Sequence, residues 1–258
     1  MIGTDNMQNE FSGKTAIVTG ASKGIGFTLA KALVDRGANV TLVARNKDDV
    51  DAAARGLGER ALAVALDLAS PGAPAEIAAR TVDKFGGIDH LINNAGLNTP
   101  GRVDEYTADD LMAMASLNLI GTSLMTQASI DRLAQSDSGS ILNISTAGSL
   151  FPTPGISFYG ATKAAINYLT GVWATELAPQ GIRVNALCPG PTATPQFSKV
   201  ENVVPNYRDQ VISQVVLRRV SEPEELVPAA MLLLSPQAGG YITGAVLNVD
   251  GGFRPGND

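Results

Sequence analysis

Three closely spaced glycines behind a short β-branched run constrain this chain more than any other feature. The run is Thr15 to Thr19, and it passes directly into Gly20-Ala21-Ser22-Lys23-Gly24-Ile25-Gly26. Ile25, Leu29, Leu33 and Val34 then fall on one face of a 3.6-residue period. A helix therefore opens inside the glycine segment and stops at Gly37, where a left-handed cap is expected. Strand, tight turn and helix in that order bring backbone N–H groups and a helix N-terminus to one point, which suits a pyrophosphate. The spacing Gly-x-x-x-Gly-x-Gly differs from the general Gly-x-Gly-x-x-Gly fingerprint, and the Lys-Ser/Thr ending of a triphosphatase loop is missing.

The same plan repeats along the chain. Strands are expected near Val40–Val43, Leu62–Leu66, His90–Ile92, Ser140–Ile144, Arg183–Leu187 and Val246–Val249, with helical periodicity between them. With the first run this makes seven strands, predicting an α/β fold: a Rossmann-type, doubly wound parallel sheet with helices on both faces. At 258 residues and 45% hydrophobic content, one domain over residues 12–258 accounts for the length, preceded by a polar tail at 1–11. The stretch from Pro189 to about Leu217 has little periodicity and reads as a surface loop or a lid.

Composition narrows the chemistry. A formal charge of -6 offers no basic face for nucleic acid. A single histidine, His90, and a single cysteine, Cys188, exclude a His-rich metal site, a Ser-His-Asp triad and an internal disulfide. Both read as packing residues. No signal peptide is expected in the polar N-terminal sequence, and no apolar run reaches the roughly 18 residues of a membrane span. A cytoplasmic protein is expected, without metal.

Acid/base chemistry then falls to other groups. Tyr159-Gly160-Ala161-Thr162-Lys163 opens a helical pattern, and residues four apart share a face, so the Lys163 ammonium can stand near the Tyr159 phenol. A nearby cation favours phenolate and would bring the tyrosine down from its usual value of about 10. Just upstream, Ser145 and Thr146 end the fifth strand with two hydroxyls.

In these motifs, taken together, the chain resembles the short-chain dehydrogenase/reductase family. Thr19-Gly20-x-x-x-Gly24-x-Gly26, Asn93-Asn94-Ala95-Gly96, Asn118, Tyr159-x-x-x-Lys163, Pro189-Gly190-x-x-x-Thr194 and the closing Asp250-Gly251-Gly252 occur in the family's order. The ending is similar to that of the β-ketoacyl carrier-protein reductase and sugar-alcohol dehydrogenase branches. The resemblance implies an oxidoreductase that interconverts a carbonyl and a secondary alcohol, with Tyr159 as acid/base, Lys163 as its partner and Asn118, on a helix, anchoring a water relay. The family's substrate-orienting serine stands thirteen residues before the tyrosine. That position is Thr146 here, and Ser145 remains the alternative.

The resemblance also implies a nicotinamide cofactor held by Gly20, Ser22, Lys23, Gly24, Ile25 and Gly26. Further contacts fall to Asp67 and Leu68 at the adenine, to Asn94, Ala95 and Gly96, to Tyr159 and Lys163, and to Pro189, Gly190, Thr192 and Thr194. Where an NAD-dependent member places an acidic residue this chain has Ala44, followed by Arg45. Arg45 and Lys23 can converge on a 2′-phosphate, so NADP(H) is expected over NAD(H), unless both are solvated surface charges. A small carbonyl or alcohol substrate and a homotetramer built on the fourth and fifth helices are implied. An acyl carrier protein is admitted as a partner through Ser198, Lys199, Arg208 and Arg218. The rival readings are a cofactor-sensing or scaffold protein without chemistry, and a dehydratase or epimerase on the same fold.

Overall fold

A computed structural model of the protein describes residues 9–202 and 204–255. The β-branched runs pair as seven parallel strands: β1 (Thr15–Thr19), β2 (Asn39–Ala44), β3 (Ala61–Ala65), β4 (His90–Asn93), β5 (Ser140–Ile144), β6 (Arg183–Pro189) and β7 (Val246–Val249). Their order is β3-β2-β1-β4-β5-β6-β7. The chain winds outward from β1 in one direction and from β4 in the other, so the crevice between the C-terminal ends of β1 and β4 is a topological switch point, where α/β sheets bind ligands.

Helices α1 (Gly24–Asp35), α2 (Lys47–Leu57), α3 (Ala73–Phe85), α4 (Ala108–Ala115), α5 (Thr122–Leu133), α6 (Ser157–Leu177), α7 (Pro195–Glu201), α8 (Tyr207–Ser213) and α9 (Val227–Leu234) connect or follow the strands. None is long and apolar enough to cross a membrane. Two apolar layers hold the sheet. Leu29 and Leu33 of α1 pack with Leu226 and Leu234 on one face, and Ile77, Met125 and Leu177 pack on the other, all buried. Each such side chain contributes about 1.5–3 kcal/mol through removal from water. Arg183 on β6 donates to the carbonyls of Leu233, Leu234 and Gly239 at 2.7, 2.7 and 3.0 Å, satisfying the C-terminal end of α9.

All seven expected strands are present, with ends that shift by no more than two residues. Gly37 takes the expected left-handed conformation at φ 91°. Three expectations need revision. Of the tail expected at 1–11, residues 1–8 lie outside the described residues, but Phe11 is fully buried against the His90 ring and Glu10 bonds the Ser235 hydroxyl. The stretch after Pro189 is not irregular: it carries α7, capped by Thr194 (Phe197 N–H to Oγ1, 3.2 Å), and α8. Its short helices were hidden by four prolines and a broken period. Finally, Asn118 lies in a π-helical turn, Ser116–Gly121, between α4 and α5 rather than in regular α-helix.

Candidate active site

The loop after β1 is shaped by what lies beneath it. A Cβ on Gly20 would sit 2.9 Å from Ala95 Cα, and one on Gly26 would sit 2.4 Å from both the Gly20 oxygen and Asn94 Nδ2. Only glycine allows that approach. The Asn94 amide donates to the carbonyls of Thr19 and Gly20 at 2.9 and 3.0 Å, while the Thr19 hydroxyl accepts from the N–H groups of Asn94 and Ala95. The loops after β1 and β4 are therefore one unit. Gly24 has φ +59° and opens α1, whose Ncap residue, Lys23, makes no side-chain cap. The helices α2, α4 and α7 are capped by Asn46, Thr107 and Thr194. The first turn of α1 thus keeps N–H donors for an anion, as a dinucleotide pyrophosphate requires.

A cleft of about 1130 Å³ runs from this loop across the ends of β1, β4, β5 and β6. It is lined by Gly20, Ser22, Lys23, Gly24 and Ile25 at one end, Leu68, Asn94, Ala95 and Gly96 along its floor, and Ser145, Thr146, Tyr159 and Lys163 at its centre. Pro189, Gly190, Thr192 and Thr194 form a further wall, with the Thr194 methyl 3.5 Å from where a Gly24 Cβ would be. The Thr192 hydroxyl is occupied by the Gly190 carbonyl and Ser221, each at 3.0 Å, leaving its backbone for other contacts.

Two expected contacts fall outside the lining. Gly26 lies under the loop, against Asn94. Asp67 turns its carboxylate to accept from the Ala69 N–H at 3.0 Å, and the flanking Leu66 and Leu68 form the wall instead. Aspartate readily closes such a local turn. Arg45 is exposed at the cleft edge, but Lys23 is paired with Asp49 at 3.7 Å. Asp49, in the first turn of α2, thus lines the cleft as well.

At the centre, the Lys163 ammonium is buried and donates to the Ile144 carbonyl at 2.8 Å. Asn118, also fully buried, accepts from the Leu97 N–H at 2.8 Å and donates to the Leu97 carbonyl at 2.9 Å and the Thr162 hydroxyl at 3.0 Å. Its side chain clamps the β4 loop to α6, and a π turn at such a junction is common at functional sites. A Cβ on Gly96 would lie 3.3 Å from Lys163 Nζ and 3.6 Å from Asn118 Oδ1, so these groups converge on one glycine.

The two candidate hydroxyls are not equivalent. Ser145 is buried and lies 3.2 Å from both the Lys163 carbonyl and the Ser149 hydroxyl. Thr146 accepts from the Gly148 N–H at 3.3 Å and keeps its proton for the cleft. The expected fall in the tyrosine pKa is not what the protein itself produces: burial pushes Tyr159 up to about 12 and Lys163 down to about 8. Tyr159 is partly buried as a residue and lines the cleft.

Thr153, Ile156 and Phe197 line the far end of the cleft together with Asn98, Pro100, Gln210, Gln214 and Phe253, whereas Leu97, held by Asn118, does not. Gln210 and Gln214 fall in the segment read as a loop or lid; Asn98, Pro100 and Phe253 form no motif, and only the loop after β4 and the chain's closing turn bring them to the cleft. Of the cations expected to meet an acidic partner, Arg208 pairs with Glu201 at 3.2 Å and covers the Phe197 ring, and Arg218 donates to the Ser213 carbonyl. Cys188 and His90 are fully buried. Among the described residues no group of His, Cys, Asp and Glu side chains forms a metal site.

Comparison with known proteins agrees with this geometry. The family model described as enoyl-(acyl carrier protein) reductase matches residues 20–254. A 2,5-dichloro-2,5-cyclohexadiene-1,4-diol dehydrogenase of Sphingobium indicum is 35% identical over 97% of this chain and 100% of its own length. A 3-oxoacyl-[acyl-carrier-protein] reductase of Thermotoga maritima is 32% identical over 93% and 98%. Among solved structures, a 3-ketoacyl-(acyl-carrier-protein) reductase of Brucella melitensis complexed with NADH superposes with TM-score 0.86 at 34% identity, covering 94% of this chain and 98% of that one.

Proposed function

Since the chain belongs to the short-chain dehydrogenase/reductase family, whose members are nicotinamide-dependent oxidoreductases, we propose that it interconverts a carbonyl and a secondary alcohol with Tyr159 as the acid/base. The observation that carries this reading is the convergence of Tyr159, Lys163 and Thr146 at the centre of the cleft whose other end is the uncapped start of α1. The bound nicotinamide supplies or accepts hydride at the substrate carbon. Everything else falls to the chain's own groups.

The glycine loop, Asn94 to Gly96 and Pro189 to Thr194 would hold that cofactor. In the direction of reduction, the Tyr159 hydroxyl gives its proton to the nascent alkoxide, which is the stronger base. The Thr146 hydroxyl donates to the carbonyl oxygen, because its proton is not spent elsewhere, whereas that of Ser145 is. Lys163 positions the site through Ile144 and, when charged, stabilises phenolate as an alcohol is oxidised. Asn118 keeps Gly96 and Leu97 against Lys163.

We read the cofactor as NADP(H) in preference to NAD(H). Arg45 follows the small Ala44 at the cleft edge and enters no ion pair among the described residues, which favours a 2′-phosphate partner. The Lys23–Asp49 pair weakens the second cation's contribution. A homotetramer is supported by exposed Met112, Ile120, Leu124 and Tyr168, which lie on the α4–α5 run and α6, the fourth and fifth helices when that run counts as one. Of the side chains named for an acyl carrier protein, Arg208 and Arg218 are engaged within their own segment, while Ser198 and Lys199 are exposed. The test is equimolar formation of reduced cofactor and ketone from a secondary alcohol, lost in Tyr159→Phe. A cofactor sensor would show binding without turnover, and an epimerase or dehydratase would show product with no net redox change.

A further inference from the structure

The cleft changes character along its length. Its charged lining residues are Lys23, Arg45 and Asp49 at the glycine-loop end and Lys163 at the centre; beyond Tyr159, among the described residues, no charged side chain lines it. One face of α8 and its C-cap supplies Tyr207, Gln210, Val211 and Gln214, spaced i, i+3, i+4 and i+7. This face is half apolar and half carboxamide. Ile156, Phe197 and Phe253 complete an apolar surround. Two nearby cations are engaged: Arg208 with Glu201, and Arg254 with Asp250 at 3.6 Å while covering the Phe151 ring.

A carboxylate or phosphate brought here would lose hydration without meeting a counter-charge. A hydroxyl or carbonyl meets carboxamides that both donate and accept. Resting on the oxidoreductase reading above, we propose that this end of the cleft selects an uncharged, mainly apolar carbonyl or secondary-alcohol compound bearing a second hydroxyl or carbonyl, which Gln210 and Gln214 bind. Acidic substrates are excluded by the lack of a partner charge.

The experiment is calorimetric titration of the protein, saturated with oxidised cofactor, with 4-hydroxy-4-methylcyclohexanone, whose tertiary hydroxyl has no hydride to give, and with 4-oxocyclohexanecarboxylate, two ketones of similar size. The hydroxyketone is expected to bind at least tenfold more tightly. Gln214→Arg, or Gln210→Lys if the first variant does not fold, is expected to narrow that preference at least fivefold by adding the missing cation. Equal or tighter binding of the keto acid, or binding of neither ketone, overturns the proposal. Hydride transfer is followed separately with reduced cofactor: binding of the hydroxyketone without its reduction leaves this inference standing and defeats the oxidoreductase reading.

Discussion

Lys163 donates to the carbonyl of Ile144 at 2.8 Å, so the side chain one helical turn after Tyr159 also ties α6 to the end of β5. The proposed catalytic positioning and the packing thus share one buried ammonium. Burial lowers Lys163 from 10.5 to about 8. As pH falls from about 10.5 to about 8, the unfolded chain takes up a proton that the folded one resists, so this residue costs stability progressively across that window and by a constant amount below it. Lys163→Met is therefore expected to lose activity at least 100-fold while melting no lower than the parent at pH 7. Calorimetric scans from pH 7 to 10 check this. A clear drop in Tm would show that the bond to Ile144 outweighs the burial cost.

The two hydroxyls at the end of β5 make a second test. Thr146→Ala is expected to lower kcat about 10²-fold through loss of a donor to the reacting oxygen, and Thr146→Ser to restore most of it. Ser145→Ala is expected to spare kcat within a few-fold and to reduce stability by about 1 kcal/mol, the usual worth of a hydrogen bond such as that to the Lys163 carbonyl. Steady-state kinetics and denaturant titration separate the two outcomes.

Cofactor choice turns on three side chains at the cleft's charged end. Arg45→Ala is expected to weaken NADPH binding at least tenfold and NADH binding little. Asp49→Ala, by releasing Lys23 from its pair at 3.7 Å, is expected to tighten NADPH a few-fold. Titrations at fixed salt give both ratios, and an NADPH affinity that ignores both changes would show the cations to be surface charges.

Much of this architecture was legible in the sequence because parallel strands buried on both faces are continuous apolar runs, and the helices between them keep their period. The glycine loop, Asn94, Tyr159 and Lys163 were legible for a related reason: each is bound to a local backbone demand or a spacing that a linear pattern preserves. The Lys23–Asp49 pair and the turned carboxylate of Asp67 were not, since they depend on how α2 and the β3 loop lie against the cleft. The carboxamide face of α8 was hidden because the segment, broken by prolines, read as a loop or lid and not as helix. Phe11 was missed because a single buried aromatic in a polar stretch carries no periodicity. The upward push of burial on Tyr159 was not legible either, because proximity along a helix reports a neighbour's charge and says nothing of burial.

Acid stability should report His90. It is fully buried, its Nδ1 lies 2.8 Å from the Ser140 hydroxyl and its ring meets Phe11 edge-on, and burial lowers it from 6.5 to about 4 despite the opposing pull of Asp89. Because the folded value lies below the unfolded one, the unfolded chain gains the proton first. Stability is then lost as pH falls from about 6.5 toward 4, on the order of 3 kcal/mol. His90→Leu is expected to flatten that limb of the pH–stability curve, as read by urea unfolding from pH 7 to 4.

The most direct test of the central claim is single-turnover hydride transfer, followed by absorbance of the reduced nicotinamide, between saturating cofactor and a secondary alcohol or ketone that the parent protein accepts, in parent and Tyr159→Phe proteins of equal cofactor affinity. The proton-transfer role predicts a rate at least 10²-fold lower in the variant, within the range general acid/base groups supply, with folding and cofactor binding unchanged. A variant that keeps most of the rate would contradict it and remove Tyr159 from the chemistry.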